Sequence, residues 1–180
     1  MKLTVGDKCY YPGQGPCVVG AIVQKVVCGT SASFYRLSLL DESRTEFFVP
    51  VGNLADLHLR PLLRRSEIPK LLERLKPRAV TKLELESVKN WRGREMKTSK
   101  MFSAGSIFEL ADAVESLTQL SSIKSLATDQ RETLHRARKL LICEISEVMD
   151  ESKSVAEARI NTVLNADQSA PNKLPKLSIA

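Results

Sequence analysis

The sequence has few of the residues and motifs that would point to an enzyme or a metal site. Its 180 residues include two histidines and four cysteines, with no C-x-x-C pair and no histidine at zinc-ligand spacing. The phosphate-binding and nucleophile motifs G-x-G-x-x-G, G-x-x-x-x-G-K-[ST] and G-x-S-x-G are also absent. These absences predict a protein that is not an enzyme, with no catalytic residues, no cofactor and no metal, whose cysteines are reduced thiols in small buried positions.

Long apolar runs are missing as well. The N-terminus lacks the apolar core of about 7–15 residues that a secretory signal needs, and no stretch approaches the ~18 apolar residues of a membrane span. We therefore expect a cytoplasmic protein with no membrane partner. Hydrophobic residues make up 43% of the chain, enough for one or two compact domains.

The positive charge is concentrated in the middle of the chain. The net charge is +6, and residues 67–100 carry ten basic and five acidic side chains, whereas residues 101–165 carry seven basic and ten acidic ones. Such asymmetry is typical of a protein that places one face on a polyanion. A solvated, lysine-rich helix face would give the same count, so charge alone leaves both interpretations open.

The first sixty or so residues have the pattern of short strands. Turn sequences at Pro12–Pro16, Cys28–Ser31 and Asp41–Ser43 separate runs of β-prone residues. Four or five strands with turns every 8–12 residues predict a small β-barrel.

Helical periodicity begins near residue 66. Apolar residues recur at helical spacing after the candidate N-caps Ser66, Ser106, Thr128 and Ser154, and a charged helix is expected over 86–100. The predicted fold class is α+β with two domains. An N-terminal small β-barrel spans residues 1–65, a C-terminal all-α domain spans 66–165, and residues 166–180 form a flexible tail.

One helix carries too little apolar surface to be explained by burial. Its tryptophan, Trp91, lies among basic residues, and a flat aromatic group with cations suits a phosphate backbone and a base step. No Asn, Gln or Arg array indicates major-groove reading, so the predicted DNA contact is sequence-tolerant. Its candidate residues are Trp91, Arg92, Arg94, Lys97 and Lys100. The alternative, that Trp91 packs into the helical core, stays open.

Several motifs together resemble a known family. They are Val5-Gly6-Asp7-Lys8, Tyr11-Pro12-Gly13-Gln14-Gly15, Phe34-Tyr35, Val49-Pro50, Leu59-Arg60 and Asn90-Trp91-Arg92-x-Arg94. From residue 3 to about 165 the chain resembles the CarD/CdnL family of bacterial RNA polymerase-binding transcription regulators. The opening motif alone would indicate only a Tudor-like barrel, and the Asn-Trp segment makes the resemblance more specific.

The resemblance implies a division of labour between the two domains. The Tudor-like barrel would bind the β subunit of RNA polymerase, and the helical domain would contact promoter DNA at the upstream edge of the bubble, with Trp91 in the minor groove. The implied polymerase-binding residues are Lys25, Val27, Phe48 and Pro50. The expected function is a monomeric transcription factor that stabilises the open complex.

The basic segment departs from the family pattern. Gly93, Glu95 and Met96 stand where relatives often carry further basic residues. The alternative hypothesis is therefore a divergent paralogue, an adaptor that binds RNA polymerase or another protein without DNA contact. An enzyme is a third hypothesis, and it would require a pocket with converging titratable groups.

Overall fold

The computed structural model describes residues 3–41, 43, 45–53, 57–77, 102 and 105–166. This part of the chain contains five β-strands followed by four α-helices, which confirms the predicted α+β class with a β region first and helices after it. The strands are β1 (Lys8–Tyr11), β2 (Gly15–Val27), β3 (Thr30–Leu39), β4 (Glu46–Pro50) and β5 (Arg60–Pro61). The helices are α1 (Ile68–Arg74), α2 (Ile107–Ile123), α3 (Thr128–Met149) and α4 (Lys153–Leu164).

The strands form one antiparallel sheet in the order β4-β3-β2-β1-β5. A two-residue turn joins β2 to β3, and both of its residues have positive φ, 50° at Cys28 and 78° at Gly29. Such turns match the natural twist of a hairpin. A register shift between Val19 and Ile22 marks a bulge in the long β2 strand. The turn chemistry at residues 28–31 therefore produced the predicted reversal.

One face of the sheet is buried in its own core. The buried residues of this core are Leu3, Cys9, Cys17, Val19, Tyr35, Leu37 and Val49. Successive side chains on a strand point to opposite faces. Lys8 and Tyr10 on β1, Lys25 on β2 and Phe48 on β4 therefore lie on the opposite face, which we call the outer face.

The helices build a second, separate core. Its buried residues come from all four helices and include Leu71, Leu110, Leu141 and Ile160. Within each longer helix these residues recur every three or four positions, so one stripe of each helix is apolar and faces the others. The helical periodicity in the sequence thus predicted the inward faces of α2 and α3.

Three of the four predicted helix caps are displaced. The hydroxyl of Ser106 does accept a hydrogen bond from the amide of Glu109, at 3.4 Å. The cap of α4, in contrast, is Ser152 and not Ser154, and α3 begins after Ala127, which makes Thr128 its first residue. Ser66 lies inside a 3-10 turn, Arg65–Glu67, that precedes α1. Only at α4 does a nearby hydroxyl, that of Ser152, accept from the helix amide in place of the predicted cap. At α3 the Gln130 side chain instead accepts from the Ala127 amide, and α1 has no side-chain cap.

Two predicted segments lie outside the described residues. The expected helix over 86–100 is one, with Trp91 and the basic residues near it, and the segment 167–180 of the predicted tail is the other. In the part that the structure describes, no helix is both long enough and apolar enough to cross a membrane.

The four thiols differ in accessibility, which partly corrects the prediction that all are buried. Cys9, Cys17 and Cys143 are buried, whereas Cys28 is exposed at the β2–β3 turn. Burial, with a smaller effect from Asp7, raises the pKa of Cys9 to about 11. Burial and then the neighbouring Cys9 raise the pKa of Cys17 to about 12.

We expect iodoacetamide at pH 8 to modify one thiol of the folded protein, Cys28, because the buried thiols are both shielded and protonated at that pH. Intact mass spectrometry over time should show a single adduct. The same reaction in denaturant should give four adducts and serves as the control. Rapid modification of a second thiol in the folded protein would contradict the described burial.

Candidate interaction surface and domain junction

The four residues predicted to contact RNA polymerase lie on the same face of the sheet. Phe48 pairs with Arg36 and Pro50 pairs with Phe34, next to the inward-facing Val49. Lys25 and Val27 pair with Ala32 and Thr30 at the far end of the β2–β3 hairpin. Residues that pair across an antiparallel ladder point to the same side. All four therefore belong to the outer face.

This part of the outer face is exposed, aromatic and cationic. The Lys25 ammonium lies 3.1 Å from the centroid of the Phe48 ring, and the Phe48 side chain is 39% exposed. Arg36 forms an ion pair with Glu46 at 3.7 Å beside it. Exposed aromatic and arginine side chains are typical of protein interfaces. We call Lys25, Val27, Phe48 and Pro50 the β4 surface.

The β4 surface adjoins a strand edge. Strand β4 lies at one end of the sheet order, and among the described residues its only ladder partner is β3. Its other edge therefore presents backbone donors and acceptors that no described strand pairs. An edge of this kind can accept an additional strand from another chain.

The β2–β3 hairpin also exposes apolar residues on the face opposite the β4 surface. Ile22 and Val26 pair with Tyr35 and Ser31, on the core side of the sheet, but they extend beyond the core, and Val26 is 73% exposed. This second face provides a comparison for the β4 surface, because it is apolar and exposed but faces away from Phe48.

The other end of the outer face is covered by helix α3. One stripe of α3, formed by Arg136, Leu140, Glu144 and Glu147, contacts the sheet side of the molecule. The intervals of four, four and three residues keep these side chains on one face of the helix. This stripe is mostly polar, so a search for apolar periodicity selected the opposite stripe and missed it.

Two glycines of the β1–β2 turn allow α3 to approach closely. The Arg136 guanidinium donates to the carbonyl of Gly13 at 2.8 Å. A Cβ on Gly13 or Gly15 would lie 3.2 Å from Arg136 or Leu140, respectively, and both glycines have positive φ. The turn therefore has a second role besides joining two strands, since it is also the docking point of α3.

A buried ion pair lies at the centre of this junction. Glu144 is fully buried, and its carboxylate accepts hydrogen bonds from the Arg60 guanidinium at 2.8 and 2.7 Å. The backbone amide of Leu63 adds a third hydrogen bond at 3.0 Å. Arg60 also donates to the carbonyl of Gly105 at 2.8 Å. Such a two-pronged pair is geometrically specific, because the planar guanidinium matches both carboxylate oxygens.

Tyr10 completes the junction. The Arg60 guanidinium stacks over its ring at 4.0 Å, and the ring is fully buried. Burial, and then the charge of Glu144, raises the pKa of the Tyr10 hydroxyl. Among the described residues the hydroxyl has no hydrogen-bond partner. Tyr10 therefore acts here as a flat apolar platform for Arg60.

A cleft of about 350 Å³ lies beside the junction, between the end of β3 and helices α3 and α4. Two ion pairs lie in its lining, Lys139 with Asp41 and Arg138 with Glu157. Burial raises the pKa of Asp41, but hydrogen bonds from Ser43 and Lys139 outweigh it and lower the pKa overall. Burial raises the pKa of Cys143, which keeps that thiol protonated. The cleft therefore offers no activated thiolate, and no group of three potential metal ligands occurs among the described residues.

Comparison with known proteins agrees with the resemblance seen in the sequence. The family model for the C-terminal domain of CarD matches residues 75–161. The chain is also similar to the 72-residue N-terminal domain of Myxococcus xanthus CarD, whose solution structure is known. The two sequences are 35% identical over a match that covers 33% of this chain and 79% of that domain, with a TM-score of 0.28. The chain belongs to the CarD/CdnL family.

Membership of the CarD family indicates a transcription regulator that acts with RNA polymerase, and the family is one of non-enzymatic transcription factors. The matched C-terminal model begins at the end of α1 and runs to near the end of α4. The five DNA-contacting residues predicted for this CarD protein, Trp91 to Lys100, fall inside the matched range but outside the described residues.

We expect Lys25 and Phe48 to be energetically coupled, because their side chains form a cation–π contact on the surface. A double-mutant cycle with Lys25→Met and Phe48→Leu, measured by urea unfolding, should give a coupling free energy of about 0.5–1 kcal/mol. Lys124→Met in place of Lys25→Met is the control, since Lys124 follows the end of α2 in the helical domain. Coupling no larger than in the control cycle would contradict the contact.

Proposed function

We propose that this protein is a transcription factor that binds the β subunit of RNA polymerase and contacts promoter DNA at the upstream edge of the bubble. Residues 1–65 form the polymerase-interacting domain in this proposal, and residues 66–165 the DNA-contacting domain. The observation that carries the proposal is the β4 surface, where Phe48 and Lys25 stand beside an open strand edge. In this proposal the protein is a monomer and acts on RNA polymerase in the cytoplasm.

The strand edge supports the contact with polymerase in two ways. A partner strand that adds to β4 would gain backbone hydrogen bonds, which give affinity without much dependence on sequence. The exposed Phe48 ring and Pro50 would supply apolar area beside that strand, and Lys25 would supply charge. A side-chain anchor of this kind makes the pairing selective for one partner.

The contact with DNA rests on the basic segment and on the family. Trp91 with its neighbouring cations would touch successive phosphates and insert beside a base step, which costs a few kcal/mol in unstacking. At the edge of the bubble that cost has already been met by strand separation. The wedge would therefore favour the open complex over the closed one.

A second candidate function rests on a specific feature of the sequence. Gly93, Glu95 and Met96 interrupt the basic run, so a protein-binding adaptor without DNA contact would carry the same β4 surface. The two functions differ in salt dependence. A DNA-binding protein is retained on promoter DNA at low salt and released as the salt concentration rises, whereas the adaptor is not retained at either.

We expect Phe48→Ala to weaken binding to the isolated β subunit by roughly tenfold or more, since truncation of a central aromatic anchor typically costs about 2 kcal/mol or more and about 1.4 kcal/mol corresponds to tenfold. Biolayer interferometry with an immobilised β subunit would measure this. The matched control is Val26→Ala, which removes a more exposed apolar side chain from the other face of the same sheet. Equal effects of the two substitutions would move the contact away from the β4 surface.

We expect Arg94→Ala and Lys97→Ala each to lower the slope of log affinity against log salt by ~1 on promoter DNA, because each side chain would neutralise one phosphate. Trp91→Ala should leave that slope unchanged and shorten the lifetime of the open complex. Electrophoretic mobility shifts over a salt series and heparin-challenged open complexes would give the two readouts. Equal lifetimes for the wild type and Trp91→Ala would show that Trp91 is an ordinary core residue.

A further inference from the structure

The proposed function needs the sheet domain and the helical domain to engage polymerase and DNA at once, and the junction between these two domains contains a buried charge that the β4 surface does not use. We propose that Arg60 and Glu144 are positioning residues that hold the helical domain in one orientation against the sheet. The sheet domain and the described helices then act as one rigid body. This inference rests on the proposed function, and it assigns to two residues outside the β4 surface a role in coupling the two domains.

The carboxylate of Glu144 can be satisfied in only one arrangement. Both of its oxygens accept from the Arg60 guanidinium, and one of them also accepts from the amide of Leu63. A rotation of the helical domain would leave this buried carboxylate without its donors. An unpaired buried charge is strongly unfavourable, so the pair penalises other orientations even where it adds little net stability.

Glu144 also holds the connection between the domains. Arg60 lies in β5, the last strand of the sheet, and Leu63 lies in the short connection that leads to α1. A hinge between the two domains would have to form in this connection. The carboxylate on α3 bonds to both of these residues and thereby ties the connection to the body of the helical domain.

The other ionic contacts across the junction are more exposed. Lys8 pairs with Glu147 at 2.8 Å, and Lys139 pairs with Asp41 at 3.3 Å, and in each case the lysine side chain is at least half exposed. Water can replace the partner of such a group when the domains separate, so these pairs set orientation weakly. Of these three ion pairs, the one formed by Glu144 therefore constrains the docking most strongly.

The chain offers convenient sites for a distance measurement. Cys28 is exposed at the tip of the sheet, whereas the other three cysteines are buried. Val155 is exposed on α4. Spin labels on Cys28 and on a Val155→Cys substitution report the distance between the domains in the full chain by double electron–electron resonance.

We expect a single narrow distance distribution in the otherwise wild-type protein. Glu144→Gln should broaden it, because a neutral amide cannot hold the guanidinium in the same way. The control is Glu147→Gln, the same change one turn further along α3 at the exposed pair, which should leave the distribution narrow. A narrow, unshifted distribution for Glu144→Gln would overturn the inference. If Glu144→Gln does not unfold cooperatively, Arg60→Lys replaces it, with the same outcomes.

Two functional measurements separate positioning from a loss of fold. Glu144→Gln should leave the affinity for the isolated β subunit unchanged, because the β4 surface is remote from the junction in the sheet order. It should shorten the open-complex lifetime about tenfold, since the second contact is no longer preorganised. An unchanged lifetime, or a reduced β-subunit affinity, would contradict a positioning role. Failure of the wild type to bind the β subunit would instead refute the proposed function and leave the distance result standing.

Discussion

The junction of this CarD-family protein depends on a carboxylate that has no access to water. Glu144 lies on α3, a helix whose other face forms the helical core, and it is tolerated there because Arg60 and the Leu63 amide supply donors to both oxygens. Removing the carboxylate from water costs free energy, and this cost is offset only when every hydrogen-bond donor is in place. The ion pair therefore disfavours other arrangements of the two domains as much as it stabilises the observed one.

The outer face of the sheet serves two purposes because α3 covers one end of it, while the other end is exposed. At the β1 and β5 end, Lys8 and Arg60 form ion pairs with residues of α3, and Tyr10 lies under the Arg60 guanidinium. At the β4 end, the same face exposes Lys25 and Phe48. One continuous surface thus connects the domain junction to the proposed polymerase contact, with β2 and β3 as a rigid spacer between them.

The residues of the β4 surface were accessible to sequence reasoning only through resemblance. Nothing in the local pattern singles out Lys25 or Val27, because an exposed hairpin tip has no periodic constraint. The contact between Lys25 and Phe48 joins two strands that are not adjacent, and it depends on the register of β3 between them. The same holds for Glu144, which a search for apolar spacing treats as one more solvated position on a charged helix.

Among the described residues, the sequence by itself determined that strands come first and helices follow, and which faces of α2 and α3 point inward. These features depend on local patterns, namely turn residues, the spacing of apolar residues along a helix and the alternation of apolar and polar residues along a strand. Each pattern can be recognised within about ten residues. The local pattern did not determine the helix starts, because Ala127 with Gln130 takes the place of Thr128 at α3 and Ser152 takes the place of Ser154 at α4. The tertiary structure alone decided that Gly13 and Gly15 receive a helix and that Glu144 meets Arg60, 84 residues away in the chain. Such pairings form only when the two domains dock. The partner of a buried charge can therefore be identified from the tertiary structure but not from the neighbouring sequence.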